Sequence, residues 1–264
     1  MSWTRAPAVA GLFYPGDATG LRETVDSLLE NAPAPDSQAP PPKAIIAPHA
    51  GYPYSGPVAA SAYAPLRTGG APIRRVVLLG PAHRYSFRGL AAPSAGSFET
   101  PLGEVEVDGE AVAEIMDLPH VHILDEAHQD EHSLEVHLPF LQTILEEFTV
   151  VPLVVGVARP EEVEEVLRVL WGGPETLIVV SSDLSHYLPY DEAARVDEAT
   201  AVAIEALRPE DIGAKQACGR TPMGGLLLRA REEEMSVERV DLRNSGDTAG
   251  SRDQVVGYGS FLFR

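Results

Sequence analysis

The chain of 264 residues has a single cysteine, Cys218. That excludes an intramolecular disulfide and any zinc module built on two or more thiolates, and a reducing compartment is the expectation. Lysine is nearly as scarce, at Lys43 and Lys215, so amine nucleophiles and Schiff-base chemistry have little to draw on. No run of about 18 apolar residues occurs, which argues against a membrane-spanning helix. The opening MSWTRAPAVAGLFYPGD lacks an apolar stretch behind a basic head, so a cytoplasmic protein is expected. Basic residues number 20 against 39 acidic ones, a formal charge of −19. Such a surface repels phosphate backbones and anionic lipid, which disfavours nucleic acid and membranes as partners. There is no Walker or G-x-G-x-x-G pattern for a nucleotide, and Ser181 and Ser182 sit outside any G-x-S-x-G frame.

With 44% apolar residues, the length suits one domain over residues 1–264. Leu21, Val25, Leu28 and Leu29 repeat at helical spacing behind Asp17, a candidate N-cap, and this helix ends in a Pro-rich surface linker at 33–42. Continuous Val/Ile/Leu runs at 43–49, 74–83, 149–156 and 176–186 read as strands buried on both faces. Helical patterns at 56–66, 133–147, 160–171, 191–207 and 221–233 separate or follow them. Alternating segments at 103–110, 237–247 and 254–263 read as half-exposed antiparallel strands. The order predicts an α/β fold with a central, mixed but mainly parallel sheet and helices on both faces.

Three of the eight histidines, His49, His83 and His186, follow strand candidates in the turn-rich strings PHAGYPYSGP, LGPAHR and SSDLSHYLP. Residues just beyond the carboxyl ends of parallel strands converge in open α/β sheets, so these three form a candidate metal or acid/base centre. A second stretch, DEAHQDEHSLEVHLPF, spells H-x-x-E-H over His128, Glu131 and His132, a pattern that binds zinc when it lies within an apolar helix. The acidic, polar residues around His128 argue against that helix. Ser133 is a candidate N-cap, which would leave His132 aimed from a loop beside a helix start, while His137 reads as structural and His120 and His122 as solvated. Asp183 is a candidate to orient His186, and Cys218 reads as a small buried residue. Asp247 in SGDTAG reads locally as an Asx-turn residue.

In order along nearly the whole chain, PHAGYPYSGPVAASAY, LGPAHR, FETPLGEVEVD, EHSLEVHLPFLQ, SSDLSHY and NSGD…VVGYG resemble the Memo family, whose prokaryotic members are called AmmeMemoRadiSam system protein B. The resemblance implies the fold of the class III extradiol dioxygenases of the protocatechuate 4,5-dioxygenase type, which hold non-haem Fe(II) on two histidines and a carboxylate. It assigns His49 and His83 as metal ligands, with Asp247 at the carboxylate position where animal relatives carry cysteine. It further assigns His186 as catalytic base, His132 as a second pocket histidine, and Phe13 and Tyr54 as pocket walls. A divalent metal is implied, Fe(II) first, with Zn or Cu as substitutes. Three functions are therefore weighed: a metal-dependent, dioxygenase-like redox enzyme or accessory protein acting with radical SAM and AMMECR-type partners; a non-catalytic module binding a small molecule or peptide in the same cavity; and a zinc hydrolase.

Overall fold

The computed structural model describes residues 3–34, 38–68 and 73–264. Positions 35–37 of the expected linker at 33–42 lie outside the described residues. Strands Ala44–Ala47, Thr176–Ser181, Arg75–Pro81 and Thr149–Val155 lie side by side in that spatial order, all parallel. Their side chains alternate between two cores. Val77, Leu79, Ile46, Ile178 and Val180 face one, and Val76, Leu78, Ile45, Leu177 and Val179 face the other. All ten are 0–1% exposed, and each contributes roughly 1.5–3 kcal/mol by leaving water. Uninterrupted β-branched and leucine runs form these strands because both faces must be apolar.

Helices Pro160–Leu170 and Arg220–Glu232 cover the first core, and Ala18–Glu30 and Tyr52–Tyr63 the second. Asp17 caps the Ala18–Glu30 helix as expected, its side chain accepting from the Gly20 N–H at 2.9 Å. The sheet is mixed: Val255–Phe263 pairs antiparallel with Ala44–Ala47 and with Val237–Asn244, and Leu90–Ala92 pairs antiparallel with Thr149–Val155. The alternating segment at 103–110 contributes Gly103–Glu106 to a separate three-stranded sheet with Ser97–Thr100 and Thr4–Arg5. Among the described residues no helix is long and apolar enough to cross a membrane.

The helix expected over 133–147 is shorter. A 3₁₀ turn spans Glu135–His137 and the α-helix is Leu138–Ile144, with Pro139 in its first turn. Proline lacks the N–H that helix interiors need but fits a first turn, so it fixes the start there. Ser133 is not its cap; the Ser133 hydroxyl donates to the Pro81 carbonyl at 2.9 Å, tying the preceding loop to a strand end.

Candidate metal centre

Parallel strands place their carboxyl ends on one edge, and the chain turns there into Pro48–His49, Ala82–His83 and Ser182–Asp183. The loop before the Glu135–His137 turn folds over the same edge. Gly80 permits this, since a Cβ at that position would lie 2.7 Å from the Ser133 hydroxyl oxygen. His49, His83 and His132 are brought together, each offering a nitrogen within 4.8 Å of the others. Their rings also meet, His49 and His83 at 5.1 Å between centroids and His83 and His132 at 4.7 Å.

The hydrogen bonds fix how two of these rings are presented. Ser181 donates its only hydroxyl proton to the Ser133 carbonyl at 2.6 Å, so its oxygen must accept from His49 Nδ1, also at 2.6 Å. His49 therefore carries its proton on Nδ1 and a lone pair on Nε2. His83 Nδ1 donates to a Glu131 carboxylate oxygen at 2.9 Å, which leaves Nε2 as the ring nitrogen turned from that carboxylate. Glu131 is buried and also accepts from the backbone N–H groups of His83, His132 and Ser133 at 2.6–2.9 Å. Burial alone would raise its pKa. The hydrogen bonds and charge of His83, with the backbone donors, outweigh burial and hold it down at about 2.

Burial, reinforced by the neighbouring imidazoles, pushes the His49 pKa well below the ordinary 6.5, and burial pulls His132 down to about 4 against the opposing Glu131 charge. Both rings are neutral at neutral pH, the form that ligates metals. His132 Nδ1 is buried without a hydrogen bond, 3.4 Å from Glu131. An orphaned, buried ring nitrogen on one member of the three-histidine group is what a cation would satisfy. Nitrogens bound at about 2.1 Å to one ion stand roughly 3.4 Å apart, so the three side chains draw closer together when an ion is bound.

Asp247, expected to complete the ligands, is not part of the group. One carboxylate oxygen accepts from the Tyr190 hydroxyl at 2.6 Å, the other from the Asn244 N–H at 3.1 Å, and Arg252 stands 3.8 Å away. It closes a capping box around the short turn Ser245–Asp247, a turn role of a different kind from the Asx turn expected, since the Asx-type bond here is made by Asn244, which accepts from the Gly246 N–H at 2.9 Å. His186 begins the short strand His186–Leu188; its Nδ1 donates to the Leu184 carbonyl at 2.8 Å, leaving Nε2 free. It stands near enough to His49 and Asp183 to influence both electrostatically. Asp183 is not seen to orient His186. Its carboxylate accepts from the His49 backbone N–H at 2.8 Å and lies 4.0 Å from His49 Nε2, and burial raises its pKa to about 6.

Phe13 packs on His132 with ring centroids 4.9 Å apart, whereas Tyr54 is 42% exposed at the start of its helix. His128 is turned away: its Nε2 bonds the Ala91 carbonyl at 3.0 Å and its ring meets Phe98. The H-x-x-E-H string is therefore not a ligand set, because its two histidines point to different places. His137 pairs with Tyr63 at 2.8 Å in the core, and His120, rather than being solvated, has its side chain 10% exposed and 3.7 Å from Glu165. Sequence reasoning missed Ser181 and Ser133 as the pair that sets the His49 tautomer, and Glu131 as the support of His83. It also missed that Cys218 Sγ stands 3.4 Å from His49 Nε2. No spacing pattern signals these, since each partner is 48 or more positions away in the chain.

The family described as Memo-like protein matches residues 5–262. The chain belongs to the Memo family. A MEMO1 family protein of Aquifex aeolicus is 38% identical over 98% of both chains, and one from Sulfolobus acidocaldarius is 35% identical over 98% of this chain and 99% of its own. MEMO1 family protein MK0963 of Methanopyrus kandleri is 34% identical over the same shares. Among solved structures, uncharacterized protein JW3007 from Escherichia coli K12 superposes with a TM-score of 0.53 at 14% identity, covering 81% of this chain and 98% of that one. That likeness shows a shared fold. The Memo chain thus carries an α/β fold whose strand ends gather a three-histidine group able to hold a metal ion.

Proposed function

We propose that this Memo protein is a metal-dependent redox protein whose divalent ion, iron in the first instance, is held by His49, His83 and His132. The observation that carries this reading is the convergence of three imidazoles, two of them anchored through Nδ1 on Ser181 and Glu131 so that Nε2 is the nitrogen each can offer an ion. Three imidazole ligands suit Fe, Zn or Cu rather than Mg or Ca. When bound, the ion supplies an open-sided Lewis acid able to take substrate and to change redox state.

The chain's own groups handle the rest. Ser181 and Glu131 keep the ligand rings from rotating, as outer-shell partners of metal histidines do. Phe13 packs against the His132 ring and limits its movement on that side. His186 Nε2 can take a proton from a bound substrate and return it, with Nδ1 held on Leu184 throughout.

The test is anaerobic reconstitution with Fe(II), followed by metal analysis of wild type, His49→Ala and His128→Ala, and then oxygen uptake with candidate substrates. The wild type and His128→Ala should keep about one ion per chain and His49→Ala should lose it. Loss from His128→Ala alone contradicts the assignment, and a metal-loaded chain without Fe-dependent oxygen uptake on any substrate argues for a binding role.

A further inference from the structure

A cavity of about 310 Å³ opens beside His83, between the loop after Arg75–Pro81, the end of Thr149–Val155 and the start of Arg220–Glu232. Its wall includes Cys218, whose sulfur touches His49 Nε2, so the cavity adjoins the three-histidine group. In a chain with 39 acidic residues, this cavity is lined by no carboxylate. Four other cavities, of about 330–650 Å³, each carry one or more, for example Glu104, Glu106, Glu146 and Glu147 in one and Asp125 and Glu126 in another. The cation on the wall is Arg84. It has no carboxylate within ion-pair distance among the described residues, and its charge is felt at His132. The Ser86 and Thr221 hydroxyls on the same wall make no hydrogen bond among the described residues. Tyr85 and Phe87 supply apolar surface.

A guanidinium without an ion-pair partner, unused hydroxyls and aromatic edges, on a cavity wall that carries no carboxylate residue, describe a receptor for an organic anion. We infer that this cavity binds a small organic carboxylate, with the carboxylate on Arg84 and the remainder of the molecule directed past His83 toward the metal site. The volume limits the ligand to a compact molecule. Only the placement of the ligand's far end rests on the metal reading above; the anion subsite does not.

Calorimetric titration of the full-length, metal-free protein with benzoate, its neutral isostere benzamide, and inorganic phosphate tests the subsite. Benzoate should bind about tenfold or more tightly than benzamide, Arg84→Gln should abolish the preference, and Arg84→Lys should keep part of it. Equal binding of benzoate and benzamide, or an unchanged Arg84→Gln, overturns the proposal. Tighter Arg84-dependent binding of phosphate overturns the carboxylate class. Repeating the titration on Co(II)-loaded protein separates the two readings. A benzoate-induced change in the cobalt d–d spectrum supports the ligand's direction, and an unchanged spectrum despite binding overturns it. Failure of Co(II) to bind at all removes the metal reading and the direction with it, while the metal-free result still decides the anion subsite.

Discussion

Glu131 and Glu135 lie four residues apart, both buried and both saturated with donors, yet they serve different ends. Glu135 binds the Arg5 guanidinium, the N–H groups of Ala8 and Val9 at 2.7 and 3.0 Å, and the Tyr14 hydroxyl at 2.5 Å. It fastens the amino-terminal segment to the body of the protein with a formal countercharge. Glu131 has no such cation; its donors are the His83 ring and backbone N–H groups. A charge left to imidazole and amides is one that a metal ion can share, whereas a charge already paired with arginine is framework. Arg5 links the two, since it also donates to the carbonyls of His128 and Glu131 at 3.0 and 2.6 Å.

Removing either partner of the framework pair should have the largest effect. Arg5→Ala or Glu135→Ala leaves an uncompensated buried charge or an emptied cradle and should cost about 3–5 kcal/mol in denaturant unfolding. Tight metal binding by a folded Glu135→Ala variant would sharpen the division; selective loss of metal without loss of stability would break it.

Glu131→Gln should cost less stability, about 1–3 kcal/mol at neutral pH, and weaken metal binding about 10- to 100-fold. The sign of its pH dependence follows from the depressed pKa. A carboxyl held at about 2 in the fold, against an ordinary 4.5, stabilises the fold above pH 4.5 and loses that contribution as pH falls toward 2. The stability gap between wild type and Glu131→Gln should therefore be widest near neutrality and close between about pH 4.5 and 2, followed by thermal melts across that range.

Ser181→Ala releases His49 Nδ1 and should weaken metal binding by a smaller factor, about tenfold, with about 1 kcal/mol lost. Asp247→Ala should cost about 0.5–2 kcal/mol as a lost cap and leave metal affinity unchanged by competition titration. A large metal effect at Asp247 would instead place that carboxylate at the ion.

The parallel strands were legible because a strand buried on both faces admits little besides aliphatic residues, as Val76 to Leu79 show. His49 and His83 were legible for a related reason: they follow such strands directly, and parallel strands end together. Local polarity already favoured His132 over His128, but the place of His132 among the three grouped histidines was not legible, because it depends on the Ser133–Pro81 and Arg5–His128 contacts, which join distant parts of the chain. At Asp247 the local reading as a turn residue holds only in part, because its carboxylate accepts from the Asn244 N–H of the Asn-Ser-Gly-Asp turn and from the Tyr190 hydroxyl of a distant helix, a partner no local pattern signals. The unpaired Arg84 was equally invisible, since an unmet charge can be recognised only once its neighbours are known.

The most direct measurement is anomalous diffraction from crystals of the Fe(II)- or Co(II)-loaded protein. The account predicts one strong peak about 2.0–2.3 Å from nitrogens of His49, His83 and His132, with the Asp247 carboxylate still on Tyr190. A peak beside His128, or one coordinated by Asp247 in place of His132, would contradict it.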